Sequence, residues 1–163
     1  MRLPPGPVRA LLACLLLVTA AGTASADVTA FLGSTMTPSA RQARGVAVGF
    51  GLLFLGFEFE YGNTVEDPED VAPELRTGMG NVLLQTPVPI AGITPYFTTG
   101  AGMYRERLGE ASETSFGLNT GGGAKIKLFG PLRVRFDYRV FTLQGSPRVD
   151  VLHRLYVGAN IAF

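Results

Sequence analysis

Charged and apolar side chains alternate along the segment from Leu132 to Val140, which reads L-R-V-R-F-D-Y-R-V. Because successive side chains of a strand point to opposite faces, this segment predicts a strand with one apolar and one charged face. Residues 53–61 repeat the pattern, with Glu58 and Glu60 on the face opposite the phenylalanines. Enclosed charges need partners or water, so this chemistry is ionic, either ion pairing or the lining of an ion path. The predicted set of interacting charges is Glu58, Glu60, Arg133, Arg135, Asp137, Arg139 and Arg154.

Two other stretches have residue types that bind phosphate or metal, but neither has the required order. The segment G-L-N-T-G-G-G-A-K is close to a phosphate-binding loop, yet that loop needs Lys followed by Ser or Thr, and Ile126 follows Lys125. The loop between Gly62 and Glu74 is rich in Asp and Glu but lacks the glycine and ligand order of a calcium loop. We expect strand curvature in the first case and a solvated acidic loop in the second, with no metal and no cofactor.

The first 26 residues predict an export signal that is removed. Arg2 and Arg9 precede a short apolar run, and Ala24-Ser25-Ala26 forms an A-x-A cleavage site. The apolar run is shorter than the roughly 20 residues that a membrane-spanning helix needs. An uncleaved anchor and a lipoprotein signal at Cys14 are less favoured alternatives. The mature protein would then be a single domain over residues 27–163.

Composition excludes several classes of function. The predicted mature chain has no cysteine, so it has neither disulfides nor cysteine-ligated metal sites. It has 12 basic against 13 acidic residues, which argues against nucleic acid as a partner. No later segment approaches 18 uninterrupted apolar residues, so a helical membrane protein is not expected.

Eight short segments with strand character follow the signal, separated by turn residues. They are residues 28–36, 44–51, 53–61, 74–86, 93–105, 114–128, 132–143 and 151–163. Long polar connections alternate with short turns such as P-V-P-I-A-G and F-G-P, and a long loop is expected near R-L-G-E-A-S-E. An even number of strands with alternating long and short connections is typical of bacterial outer-membrane barrels. The sequence therefore predicts an all-β, closed, eight-stranded antiparallel up-and-down transmembrane barrel.

The mature sequence resembles the small eight-stranded outer-membrane β-barrel family, of the OmpA-barrel and OmpX type. The most specific element is the end of the chain, L-Y-V-G-A-N-I-A-F, which looks like the signal by which such proteins are recognised for barrel assembly. The residues that carry this resemblance are Tyr156, Gly158, Ile161 and Phe163. The segment G-N-V-L-L, followed after a turn by P-Y-F-T-T-G-A-G-M-Y, looks like the central hairpin of the same family.

This resemblance implies a location in the bacterial outer membrane and contact with outer-membrane lipid and lipopolysaccharide. It also implies that the barrel-assembly machinery is a partner during biogenesis, whereas the ligand of the outer loops stays unknown. Lipid A deacylases of this barrel class use a histidine with a nearby serine, but the only histidine, His153, lies in D-V-L-H-R-L-Y, with no serine two residues on. We therefore expect no catalytic residues and a structural or surface-interacting role.

An eight-stranded barrel is just wide enough for side chains to fill it. Glu58 and Glu60 are therefore predicted to pair across the lumen with Arg135, Arg139 or Arg154 and to plug it. One alternative is a small porin, with an ion path lined by Lys125, Lys127, Arg133 and Arg135. The other is a secreted lipocalin-like barrel, which would turn its apolar face inward around a ligand.

Overall fold

The computed structural model describes residues 25–163, which form one closed barrel of eight antiparallel strands. The strands are β1 (Ser25–Thr35), β2 (Arg41–Leu52), β3 (Leu55–Thr64), β4 (Glu74–Gln85), β5 (Ile93–Leu108), β6 (Ala111–Phe129), β7 (Leu132–Leu143) and β8 (Val151–Ala162). Each strand pairs with its neighbours in the sequence, and β1 pairs with β8 from Asp27↔Ala162 to Thr35↔Arg154. The predicted eight-stranded up-and-down barrel is confirmed.

The predicted signal peptide lies outside the described residues, apart from Ser25 and Ala26, which begin β1. No helix in residues 25–163 is long and apolar enough to cross a membrane. The barrel has two ends. The termini end carries both ends of the described chain and the connections 53–54, 86–92 and 130–131, whereas the loop end carries the connections 36–40, 65–73, 109–110 and 144–150.

Two connections differ from their predicted lengths. The polar stretch 107–113 was expected to be a long loop, but only Gly109 and Glu110 connect β5 to β6. Pairs such as Glu106↔Glu113 continue the ladder, and Gly109 has φ of 60°, which suits a tight turn. The polar residues of this stretch therefore belong to a long hairpin, in which β5 and β6 continue beyond their predicted ends. The connection 36–40 is likewise shorter than expected, five residues against the seven of 37–43, because β2 begins at Arg41 and not at residue 44.

Side chains alternate strictly between the interior and the exterior of the barrel. Phe59 is 60% exposed on the outside of β3, whereas the next residue, Glu60, is fully buried inside. On β7, Phe136 and Tyr138 face outward and are each 44% exposed, whereas Arg139 is fully buried. The period of two in the sequence thus becomes an apolar exterior and a polar interior.

At some interior glycines, the backbone of the adjacent strand leaves no room for a side chain. A Cβ added at Gly123 would lie 2.0 Å from the carbonyl oxygen of Phe136, and one at Gly102 would lie 2.0 Å from that of Gly78. Neither position has room for a side chain. By contrast, a Cβ at Gly80, which faces outward, would meet nothing closer than 3.8 Å. Packing therefore explains the interior glycines but not the exterior one.

Candidate functional site: the charged interior

The centre of the barrel holds six ionised side chains that come from three strands. They are Glu58 and Glu60 on β3, Arg135, Asp137 and Arg139 on β7, and Arg154 on β8, and we call them the central cluster. Strands β3 and β7 are four places apart in the ring, so they face each other across the lumen. All six side chains are at most 5% exposed. The period of two on each strand directs every one of them inward.

Arg139 bridges all three carboxylates of the central cluster. Its Nη2 donates to Glu58 Oε1 at 2.8 Å, and its Nε donates to Asp137 Oδ1 at 2.9 Å. Its Nη1 lies 3.1 Å from Glu60 Oε2. Arg135 also pairs with Glu58, and its Nη2 lies 2.8 Å from Asp137 Oδ2. Because each carboxylate touches at least one guanidinium, the buried charges compensate one another.

Arg154 completes the charge balance of the central cluster. Its Nη1 lies 3.6 Å from Glu60 Oε1, and its guanidinium carbon lies 4.5 Å from the centre of the Phe141 ring. The cluster therefore contains three guanidinium groups and three carboxylates, with no net charge. Charges enclosed in a low-dielectric space are tolerated under this condition, because an unpaired one would have to be desolvated alone.

Two tyrosines extend the network, and sequence reasoning did not assign them to it. Tyr96 on β5 donates its hydroxyl to Asp137 and accepts a hydrogen bond from Arg135 Nε at 2.7 Å. Tyr156 on β8 donates to Glu60 Oε2 at 3.0 Å and stacks on Phe31, with ring centroids 4.1 Å apart. A phenol in a polar interior supplies a hydrogen bond without adding a charge. The alternation around Tyr96 in P-Y-F-T-T was too weak to find it, because Gly and Thr suit either face of a strand.

An apolar cluster fills the lumen between the central cluster and the loop end. Its buried members are Leu75, Met79, Tyr104, Phe141, Leu143 and Leu152. Phe141 and Leu143 continue the inward parity of Arg139 along β7. The interior is therefore layered, with ion pairs at the centre and apolar packing toward the loops, and both layers obstruct the passage.

The termini end of the lumen is more open. A cavity of about 220 Å³ lies there, lined in part by Asp27, Lys125 and Arg133. Lys125 pairs with Asp27 at 2.5 Å, and both side chains are largely buried. Arg133, which was predicted to belong to the interacting charges, lies outside the central cluster and forms no ion pair within residues 25–163. Arg133 is half-buried near the start of β7. A carboxylate that lines the same cavity, Asp27, pairs with Lys125 instead.

The exposed lysine of the predicted ion path, Lys127, lies opposite Arg133 at the same end. Arg135, in contrast, is fully buried within the central cluster. The four side chains proposed to line a path therefore do not form a continuous open row, because two of them are engaged in buried ion pairs.

The remaining predicted residues lie on the exterior or in loops. His153 faces outward on β8, and its Nδ1 lies 2.7 Å from the hydroxyl of Tyr138. In the assembly-signal residues, Tyr156 and Gly158 face the lumen, whereas Ile161 and Phe163 are exposed at the end of the chain. In the part of the chain that the structure describes, no three His, Cys, Asp or Glu side chains come together as a metal site would require.

The acidic loop is ordered by local contacts. Asp67 pairs with Ala72 in a short bridge, and its Oδ1 accepts a hydrogen bond from the amide of Glu69 at 3.2 Å. Arg41, at the start of β2, donates to the carbonyl oxygens of Pro73 and Thr37 and so joins two loops of the same end. The segment G-G-G-A-K lies inside β6 and forms no phosphate-binding loop.

The barrel is similar to several solved structures. It matches the N-terminal β-barrel domain of Pseudomonas aeruginosa OprF with a TM-score of 0.65 and 14% identity, over 86% of this chain and 100% of that one. It matches Neisserial surface protein A, NspA, with a TM-score of 0.65 and 17% identity, over 86% and 96% of the two chains. The outer membrane enzyme PagL matches with a TM-score of 0.54 and 14% identity, over 83% and 98%. No protein-family profile and no curated protein matches the sequence. The chain therefore has the fold of the small eight-stranded outer-membrane β-barrels.

Proposed function

We propose that this protein is an integral outer-membrane β-barrel with a closed lumen, which acts in envelope structure or in contacts made by its loop end. The observation that carries the proposal is the inside-out distribution of side chains. Phe57, Phe59, Phe136 and Tyr138 are each 44–60% exposed, whereas the central cluster is buried. Hydrocarbon is the solvent that suits such an exterior, and closure of β1 onto β8 leaves no unpaired edge in it.

The same distribution argues against a water-soluble ligand-binding barrel. A lipocalin-type barrel would surround its ligand with apolar side chains and expose its charges. Here the exterior carries large apolar side chains on every strand, and an apolar surface of that extent would aggregate in water. Export to the outer membrane with the aid of the predicted signal and assembly residues, ending at Phe163, is part of the proposal.

Membrane fractionation followed by gel electrophoresis tests the location. We expect the protein to stay in the detergent-extracted outer-membrane fraction and to migrate differently before and after boiling, because a closed barrel resists unfolding by detergent alone. Recovery in the soluble fraction, with one band position under both conditions, would contradict the proposal.

A small channel is the second candidate, because the termini end opens into the cavity beside Arg133. We expect no stable conductance steps from the purified barrel in planar bilayers, since the central cluster and the apolar cluster fill the interior beyond that cavity. Reproducible open channels in the wild-type protein would favour the porin interpretation instead.

A non-enzymatic role is the simpler interpretation of the described residues. PagL shows that this fold can carry an enzyme. In this chain, however, His153 contacts Tyr138 on the exterior, and no serine or cysteine lies within hydrogen-bonding distance of it. A nucleophile next to a base is the arrangement that acyl transfer requires, and residues 25–163 do not present it around this histidine.

A further inference from the structure

A row of arginines crosses the exterior wall of four adjacent strands at the loop end. The ladder places Arg44 of β2 opposite Asn63 of β3, Asn63 opposite Arg76 of β4, and Arg76 opposite Arg105 of β5. All four have the outward parity of their strands, and the three arginines are exposed. We call these four residues the arginine row. It spans three inter-strand spacings, or roughly 14 Å.

The row has more positive charge than its surroundings neutralise. The adjacent carboxylate, Glu74, pairs with Arg76 at 2.9 Å and with Arg107 at 2.8 Å, and it accepts a hydrogen bond from Asn63. Arg44 and Arg105, in contrast, make no ion pair within residues 25–163. The guanidinium groups at the two ends of the row are therefore exposed without a neutralising carboxylate, although Arg105 donates a long hydrogen bond of 3.5 Å to Ser112 Oγ.

On the barrel wall, the arginines of this end are grouped on β2, β4 and β5, whereas the exposed Arg148 lies in the connection 144–150. At the same end, the outward positions of the other strands carry neutral groups such as Ser34 of β1, Thr114 of β6 and Thr142 of β7. A general preference for water at the loop end would distribute charge around the whole rim. The one-sided row indicates a localised anionic partner.

The height of Arg44, at the lower end of the row, matches the headgroup region of a bilayer. Along β2, the outward residues from Val46 to Leu52 are all apolar and exposed, and Arg44 follows directly above them. Eight residue steps separate Leu52 from Arg44, which corresponds to about 20 Å along the axis of a barrel with tilted strands. The apolar band of such barrels is about 25 Å tall, so Arg44 lies near its upper border, and because the strands are tilted the row rises from Arg44 toward the loop end at Arg105.

A trough descends from the row through the apolar surface. Directly below Arg76, the outward positions of β4 are Gly78 and Gly80, and the position beside Gly80 on β5 is Ala101. A Cβ at Gly78 would meet nothing closer than 3.9 Å. The nearest atom to that position belongs to the ring of Phe59 on β3, which forms one wall of the trough, whereas no side chain lies near the Cβ position of Gly80.

A second depression adjoins the trough at Arg76. It is a groove of about 480 Å³ with Arg44, Asn63 and Arg76 along its polar part and Val46 and Tyr61 along its apolar part. Polar and apolar contacts are therefore available side by side, as an amphipathic ligand would need.

We propose that the arginine row and trough bind one lipid of the outer leaflet that carries two phosphates and several acyl chains. Arg44 and Arg105 would each hold a phosphate, and an acyl chain would lie against Gly78 and Gly80. Guanidinium groups bind phosphate oxygens in pairs, and basic clusters at this depth attract anionic headgroups. The width of the row favours a lipid with two separated phosphates over one with a single phosphodiester. This inference rests on the proposed location in the outer membrane.

Native mass spectrometry of the barrel, released from neutral detergent, tests the inference with four added probes. The probes are diphosphoryl lipid A, monophosphoryl lipid A, phosphatidylglycerol and inorganic phosphate. We expect one diphosphoryl lipid A to be retained, and retention to fall by about tenfold or more in Arg44→Gln/Arg105→Gln, because each basic side chain near a membrane surface contributes substantially to binding an anionic lipid. Lys127→Gln/Arg148→Gln removes the same charge elsewhere and is expected to retain the lipid.

A second pair of variants tests the trough without changing charge. Gly80→Leu is expected to lower retention of diphosphoryl lipid A severalfold by filling the trough, whereas Ala159→Leu on the exterior of β8 is expected to leave it unchanged. Equal retention by wild type and by Arg44→Gln/Arg105→Gln would overturn the inference. So would equal retention of phosphatidylglycerol, or binding of inorganic phosphate alone with the same dependence on the arginines.

The lipid preference of the wild-type barrel gives a readout that does not depend on whether any variant folds. Heat-dependent migration of each sample, recorded in parallel, reports whether a closed barrel is present. A folded, membrane-extracted barrel without lipid preference would contradict only this inference, whereas a water-soluble protein would contradict the proposed function.

Discussion

Replacing Arg139 by leucine is expected to lower the free energy of unfolding by about 3–5 kcal/mol, the cost of removing one partner from a buried ion-pair network. Arg139 contacts Glu58, Glu60 and Asp137, and it is fully buried. Its loss leaves three buried carboxylates with two guanidinium groups. The cluster then has one negative charge in excess, which must be offset by uptake of a proton or by entry of water into the lumen.

The measurement is equilibrium unfolding of the barrel in lipid vesicles by guanidinium chloride, with the unboiled gel band as the signal for folded protein. Arg133→Leu is the matched control, since Arg133 has the same inward parity on the same strand but makes no ion pair and is partly exposed. Its effect is expected to be under about 1 kcal/mol, in the range of exposed charges. Similar losses in the two variants would contradict the importance of the central cluster.

A charge-balanced variant separates ion pairing from simple packing. Arg139→Leu combined with Glu58→Leu removes one charge of each sign from neighbouring groups whose atoms lie 2.8 Å apart. The remaining charges stay paired, Arg135 with Asp137 and Arg154 with Glu60. We expect the double variant to be more stable than Arg139→Leu, because burying an apolar pair is often neutral, whereas burying one unpaired charge is not. A double variant that is less stable by the full sum of the single effects would assign the loss to side-chain volume.

The alternation of apolar and polar residues with a period of two was sufficient to predict most of the fold. Two sets of charges were informative: those of residues 132–140 and the pair Glu58 and Glu60. They predicted which face of β3 and β7 points inward, and which charged groups meet in the lumen. Closure followed from the even number of segments, since a strand edge in lipid has no hydrogen-bond partner. Facing in β4 and β5 was left uncertain because Gly and Thr are compatible with either face. The ladder settles it, with Met79 and Asn81 inside.

The contents of the lumen were only partly predictable. Pattern alone places Phe141 inward and leaves the facing of Tyr96 on β5 open, and it does not reveal where the central cluster ends and the apolar cluster begins. That division depends on the stagger between strands, which brings residues from distant segments to one height. Arg133 shows the same limit of the sequence pattern. Its inward facing was predicted correctly, but the pattern did not determine its position along the barrel axis, which is outside the central cluster.

The arginine row was missed for a similar reason. Arg44, Arg76 and Arg105 lie on three strands and are separated by about thirty residues along the chain, so no local motif connects them. Only the register of the ladder shows that they lie next to one another on the exterior. Exterior charges at a strand end also look like ordinary solvated residues in a single sequence.

An arginine in place of Phe59 is expected to destabilise the folded barrel in lipid by about 2–4 kcal/mol, the cost of a cation at the midplane of the lipid-facing surface. Phe59 is 60% exposed and belongs to the outward set of β3, about midway between the termini end and the arginine row. In a water-soluble barrel the same change would expose a charge to water and would cost little. The sign and size of the effect therefore report which solvent the exterior contacts.

Gln42→Arg provides the matched control for Phe59→Arg. Gln42 is exposed on the outward face of β2, two residues beyond Arg44 toward the loops, where headgroups and water can solvate a guanidinium. The cost there is expected to be about 0–1 kcal/mol, as for arginine near the interface of a transmembrane barrel. Both variants are compared with wild type by guanidinium chloride unfolding in vesicles of the same lipid. A Phe59→Arg barrel as stable as Gln42→Arg would mean that hydrocarbon does not surround this surface, and the lipid-facing assignment of the exterior aromatic side chains would have to be abandoned.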